Sequence, residues 1–203
     1  MVERKIYFCK IKPGKQLEAA DYFIEMKDKI KNAESLLTCS MFEYEDIIIL
    51  YYESFRETIQ PEQLFKKADF LERCPVSGHS VFLLMETIFY YNKPVDEKHW
   101  ARKSTAKPVG TLGKIKPGML SSYIYHHHIL QETVNKERDK YGIISVFNNY
   151  LFYYKELPSV QEYPSFPGKI NGIIPADWQE IMTPHFILWD DTQKPWKEMK
   201  SLI

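Results

Sequence analysis

The pentapeptide Lys-Ile-Lys-Pro-Gly occurs twice in this chain, at residues 10–14 and 114–118, and further matches follow it in the same order. Ser40-Met41-Phe42 is answered by Ser145-Val146-Phe147, and Leu50-Tyr51-Tyr52 by Phe152-Tyr153-Tyr154. METIFYYNKP at 85–94 is answered by MTPHFILWDDTQKP at 182–195. Four matches in one order identify a duplicated domain with a period of about 100 residues, too long for a solenoid repeat. The 203 residues are therefore expected as two similar small domains, each able to bury a core.

Hydrophobic periodicity gives each copy the same element order. In the first, Lys5 to Ile11 reads as a strand that Pro13-Gly14 ends, and the next helix carries Leu17, Ala20, Phe23, Ile24 and Ile30 on its apolar side. Ser35 to Phe42 and Asp46 to Glu53 pair as a hairpin, Thr58 to Arg73 is a second helix, and Val81 to Tyr91 is the closing strand. In the second copy, Gly110 to Ile115 is a strand and Met119 to Lys136 a helix. Tyr141 to Phe147 and Tyr150 to Lys155 form a hairpin across Asn148-Asn149. The segment LPSVQEYPSFPG at 157–168 is an irregular approach to the last strand.

Strand, helix, strand, strand, helix, strand is the ferredoxin-like βαββαβ order. The expected domains are 1–94 and 109–203, joined by a charged connector at 95–108. A sheet with helices on one face leaves its other, aromatic and β-branched face in need of cover. The expected fold class is α+β, with tandem ferredoxin-like units packed sheet to sheet as an intrachain dimeric α+β barrel. Such a chain needs no second copy to cover its sheets, so a monomer or weak homodimer is expected.

Lys plus Arg and Asp plus Glu each total 27, so nothing electrostatic points to nucleic acid or an anionic membrane. Cys9, Cys39 and Cys74 are odd in number and far apart, which suits free thiols in a reducing cytoplasm. No apolar run approaches the about 20 residues of a membrane span, and a cytoplasmic location is expected.

On the second helix Leu120, Tyr123, Ile124, His127, Leu130 and Val134 share the core-facing side. An imidazole there titrates near neutrality and suits acid–base work, with Tyr123 placed to orient it or a substrate. The plain alternative is a core histidine satisfied by backbone. His126, His127 and His128 point about 100° apart and cannot converge on one ion, so no metal is expected. With no phosphate loop, nucleophile elbow or paired cysteines, no cofactor is expected either. In the last strand His185 and Trp189 share a face, and with Trp178 they form a candidate aromatic wall for a sugar, or the packing of a barrel end.

These residues resemble the L-rhamnose mutarotase family of the dimeric α+β barrel superfamily. The similarity runs through Lys116-Pro117-Gly118 to Tyr123 and His127, through Gly142 to Phe147, from Trp178 through Met182 to Trp189, and through METIFYY in the first half. It implies a cofactor-free isomerase that interconverts the anomers of a small-molecule sugar. His127 would be the acid–base group, with Tyr123, Trp178, His185 and Trp189 as sugar contacts. The first copy carries Ala19 and Phe23 at the corresponding helical positions and lacks the pair. Two other readings stand beside it: a non-catalytic carbohydrate-binding or regulatory protein, and a cofactor-free monooxygenase of the same superfamily.

Overall fold

A computed structural model describes the chain except residues 1, 32, 34, 56–58, 75–77, 79–80, 103–105, 134–135, 167 and 170–175, and the side chains of 28 and 31. The elements are β1 (Val2–Lys10), α1 (Gln16–Lys31), β2 (Leu36–Tyr44), β3 (Ile47–Phe55), α2 (Pro61–Leu64), β4 (Leu83–Leu84) and β5 (Glu86–Tyr90). There follow α3 (Glu97–Trp100), β6 (Lys107–Ile115), α4 (Leu120–Thr133), β7 (Arg138–Asp139), β8 (Ile143–Phe147) and β9 (Tyr150–Leu157). The last are β10 (Gln161–Glu162), α5 (Trp178–Met182), β11 (Phe186–Ile187), β12 (Trp196–Glu198) and β13 (Lys200–Ser201). The fold is mixed α+β on antiparallel sheets, in the ferredoxin-like manner.

The repeated pentapeptide is a turn. Lys15 N–H donates to the Lys12 carbonyl at 3.0 Å and Met119 N–H to that of Lys116 at 3.1 Å, with Gly14 and Gly118 at φ 76° and 79°. Proline second and a left-handed glycine third make the type II turn, which only glycine enters without strain. The next bonds, Ala19 N–H to Lys15 and Tyr123 N–H to Met119, open α1 and α4. Sequence identity was kept here because strand must turn into helix at this point in both copies.

Two compact units result, 1–85 with 94–101 and 200–203, and 86–93 with 102–199. The first sheet has the order β13-β2-β3-β1-β4, and the second β11-β6-β9-β8-β5 with β12 also on β6. The strand expected to close the first sheet is therefore an edge of the second, where Glu86 pairs with Val146 and Tyr90 with Ile143. Leu83–Leu84 and the returning Lys200–Ser201 border the first sheet instead. Duplicated units make such an exchange easy, because either copy offers an equivalent strand with an edge to receive it.

In the first unit α1 lays Ala19, Phe23 and Ile30 on β1 and β3, while Leu17 and Ile24, expected on that face, are 83% and 70% exposed. The expected helix from 58 to 73 shortens to α2. Lys67 turns left-handed at φ 62°, and Leu71 then bridges Ile11, so Phe65, Phe70 and Leu71 enter the core from an irregular segment. Thr58 lies outside the described residues. Phe23 packs edge-on against Phe65 and Phe70, with centroids 6.4 and 5.4 Å away, so rings fill the space beneath α1.

The register of the hairpins shows which residues correspond. Cys9 pairs with Ile48, and its counterpart Gly113 pairs with Leu151, so Tyr51 and Glu53 correspond to Tyr154 and Glu156. Both pairs sit on the sheet face away from the helices. In the first unit the fully buried Glu53 accepts from Tyr51 Oη and from Trp100 Nε1 at 3.0 Å, and its carboxylate lies 3.4 Å from Arg4 Nε. In the second, Glu156 accepts from Tyr154 Oη at 2.9 Å and from Arg102 at 2.7 and 3.0 Å. The duplication thus carries a buried tyrosine–glutamate pair as well as its strands, while the arginine beside it comes from β1 in one unit and from the segment before β6 in the other.

Candidate functional site

The second unit holds a cavity of about 130 Å³ beneath α4. One helical turn apart, Tyr123 and His127 enter it from α4, as 3.6 residues per turn requires of an i, i+4 pair. Phe89 and Tyr91 come from β5 and the residue after it, Ile144 from β8, and Tyr153 from β9. Trp178 and Met182 of α5, Phe186 of β11 and Trp196 of β12 complete the apolar wall, with Gln179, Thr183 and Pro195 beside them. The chain approaches this wall closely at two glycines. A Cβ on Gly113 would lie 2.9 Å from a Phe186 ring carbon, and one on Gly142 would lie 3.0 Å from a Tyr91 ring carbon and 3.4 Å from Tyr153 Oη.

His127 is 5% exposed. Its Nδ1 lies 3.0 Å from the Tyr123 carbonyl, which can only accept, so Nδ1 carries the proton and Nε2 holds the lone pair. The ring lies 4.1 Å from that of Tyr123, with Phe89 at 5.1 Å and Trp178 at 5.3 Å in edge contact. Burial pushes its pKa down to about 4, against the bond to Tyr123, and His126 and His185 lower it further. The imidazole is neutral at pH 7. Burial raises the phenol of Tyr123 well above its ordinary value, with Tyr91 and Tyr153 adding, and raises those of Tyr91 and Tyr153 as well. All three are protonated donors.

A histidine that titrates near 6.5 in the unfolded chain and about 4 in the folded one makes stability depend on pH. Between these values the unfolded state binds more protons, so this contribution is full above pH 6.5 and is lost as pH falls toward 4. The expected loss is about 3 kcal/mol. It is read as a falling urea midpoint across that window in the parent and as a flatter profile in His127→Gln.

Of the residues singled out from sequence, Tyr123, His127 and Trp178 line this cavity, whereas His185 and Trp189 do not. His185 ends a 3₁₀ turn, Thr183–His185, with Nδ1 on the Met182 carbonyl at 3.2 Å and Nε2 2.9 Å from Ser122 Oγ. Its ring meets the edge of Tyr123 from outside the cavity, at 6.2 Å. Trp189 lies beyond the two-residue β11 with the Lys114 ammonium 4.3 Å above its ring. Val134, placed on the same helical face by sequence, lies outside the described residues. Phe89 and Tyr91 escaped sequence reasoning because they belong to the first copy by position. Tyr153 was legible from its alternation with Leu151, whereas Trp196 had no signal beyond its aromatic ring. Among the described residues no three His, Cys, Asp or Glu side chains gather as a metal site, and no helix is long and apolar enough to cross a membrane.

No family model matches the chain, and no curated protein matches it. Among solved structures it is similar to a candidate monooxygenase from Fusobacterium nucleatum, with 11% identity over all of this chain and 92% of the other, at a TM-score of 0.46. A candidate monooxygenase from Lactobacillus acidophilus is also 11% identical, over 100% and 94% of the chains, at 0.41. An anthrone oxidase-like protein is 10% identical, over 77% and 76%, at 0.36. None of the three is a mutarotase. With no matching family model, this overturns the rhamnose-mutarotase resemblance and the isomerase and carbohydrate functions taken from it. The physical reason is that Tyr-x-x-x-His states only that two rings share a helix face, a pattern that any aromatic cavity under a helix can produce.

Proposed function

We propose that the cavity of the second unit is the site of a cofactor-independent monooxygenase acting on an electron-rich hydroxyarene, with His127 as the base. The observation that carries this reading is a neutral imidazole, unprotonated at Nε2, of a residue that lines a cavity walled by aromatic rings and by protonated phenols. Aromatic walls take a flat apolar ring, and the tyrosine hydroxyls hold its oxygens.

His127 Nε2 takes the hydroxyl proton, and the resulting arenolate, an opposite charge beside the imidazolium, stabilises it by raising its pKa in the complex. The arenolate passes one electron to dioxygen, and the radical pair closes a carbon–oxygen bond at a ring carbon. The imidazolium returns its proton to the distal oxygen as the oxygen–oxygen bond breaks. That oxygen leaves as water with the ring proton, and the other remains in the product. For a dihydroxyarene the balance is one arene and one dioxygen to one hydroxyquinone and one water, with all four electrons drawn from the arene.

The test is turnover under ¹⁸O₂ with a panel running from hydroquinone to anthrone. One labelled atom in the product and one in water is expected, with dioxygen uptake dependent on the protein. Uptake no faster than the protein-free rate across the panel would overturn the reading.

A further inference from the structure

The first unit has a groove of its own, about 610 Å³ in volume, between α1 and the stretch formed by α2 and the residues after it. Tyr22, Met26 and Ile30 recur at every fourth position of α1 and Ala33 follows them, so one stripe of the helix lines the groove, and Leu64 of α2 adds to the same apolar surface. Tyr22 Oη donates to the Lys66 carbonyl at 2.6 Å, and the Tyr22 ring lies 5.1 Å from that of Phe70. The two sides of the groove are thereby tied to each other and to the core beneath them.

The polar lining is uneven in charge. Lys29 of α1 and Lys66 and Lys67 after α2 stand against the single carboxylate of Glu25, with Gln63 as the remaining polar side chain. Glu25 and Lys29 have the spacing of a helical ion pair, yet among the described residues none of the three lysines is held in one. Lys67 sits at φ 62°, a left-handed conformation that the Cβ of a lysine opposes, and the chain turns there with both neighbouring lysines on the groove.

From an apolar helix stripe left open to water and edged by unpaired ammoniums, we infer that this groove binds a fatty carboxylate. The chain lies along Tyr22, Met26, Ile30 and Leu64 and displaces water from them, and the head is attracted by Lys29, Lys66 and Lys67. Lysines act on such a head as point charges, while their methylene stems add apolar contact to the chain beside it. Binding makes and breaks no covalent bond, and the inference does not rest on the oxygenase reading of the second unit.

The test uses the full-length protein with ¹³C-labelled methionine methyls, so that Met26 reports from the groove, and Met26→Leu assigns its signal. Octanoate is expected to shift that signal saturably, and octylammonium, with a chain of the same length and the opposite charge, to bind at least about tenfold more weakly. Lys29→Gln combined with Lys66→Gln, both at exposed positions, should weaken octanoate about tenfold, with the other methionine signals showing that the variant is folded. An unmoved Met26 signal, octylammonium binding as tightly as octanoate, or undiminished octanoate affinity in the double variant would overturn the inference.

Discussion

Dioxygen uptake by His127→Gln is expected to fall about 10²- to 10⁴-fold below the parent, the range over which a positioned acid–base group acts. Glutamine keeps much of the volume and can still donate to the Tyr123 carbonyl, so the cavity survives while the proton acceptor is lost. The loss should appear chiefly in kcat, because proton removal follows binding. The same variant reports independently through its flatter acid-stability profile, since neutral burial of the imidazole is what makes folding pH-dependent. An unchanged rate with a flattened profile would mean that His127 is only a buried core residue.

The Glu53→Ala chain is expected to be about 3–5 kcal/mol less stable than the parent, read as a shift in the urea midpoint. Removing the carboxylate takes from Arg4, 7% exposed in its side chain, a buried anion 3.4 Å from its Nε, and takes one acceptor from each of Tyr51 and Trp100. Arg4 also lies over the rings of Trp100 and Tyr51 at 5.2 and 5.7 Å, and ring faces attract a cation less strongly than a buried carboxylate does. Glu156→Ala should lose less, because Arg102 is 17% exposed and water can take over part of its solvation. Equal losses in the two variants would show that exposure of the arginine is not what sets the difference.

What was legible in the sequence was whatever follows from local period. The Pro-Gly turns, both hairpins and the pairing of Tyr123 with His127 on the inner side of α4 are fixed by residues within a turn or two of one another. Register across strands was not. The Tyr51-Tyr52 and Tyr153-Tyr154 pairs invite superposition, yet hairpin pairing aligns Tyr51 with Tyr154. In a strand that single step moves a side chain to the opposite face, so Tyr153 faces the cavity while Tyr154 bonds Glu156 on the other side. The phase of α1 slipped in the same way, since Leu17 and Ile24 satisfy the helical spacing as well as Ala19 and Phe23 do. The destination of residues 86–90 had no local signal at all, because the edges of two similar sheets suit one strand about equally.

That exchanged strand ties the ancestry of the two copies together. Phe89 and Tyr91 are inherited with the first copy but wall the cavity of the second, while Lys200 and Ser201 of the second copy complete the border of the first sheet. A chain split within 95–108 would give the second half a base without its facing rings. The first copy carries Ala19 and Phe23 where α4 has Tyr123 and His127, and packs both into its core, yet its own Phe89 and Tyr91 wall the cavity of the other unit.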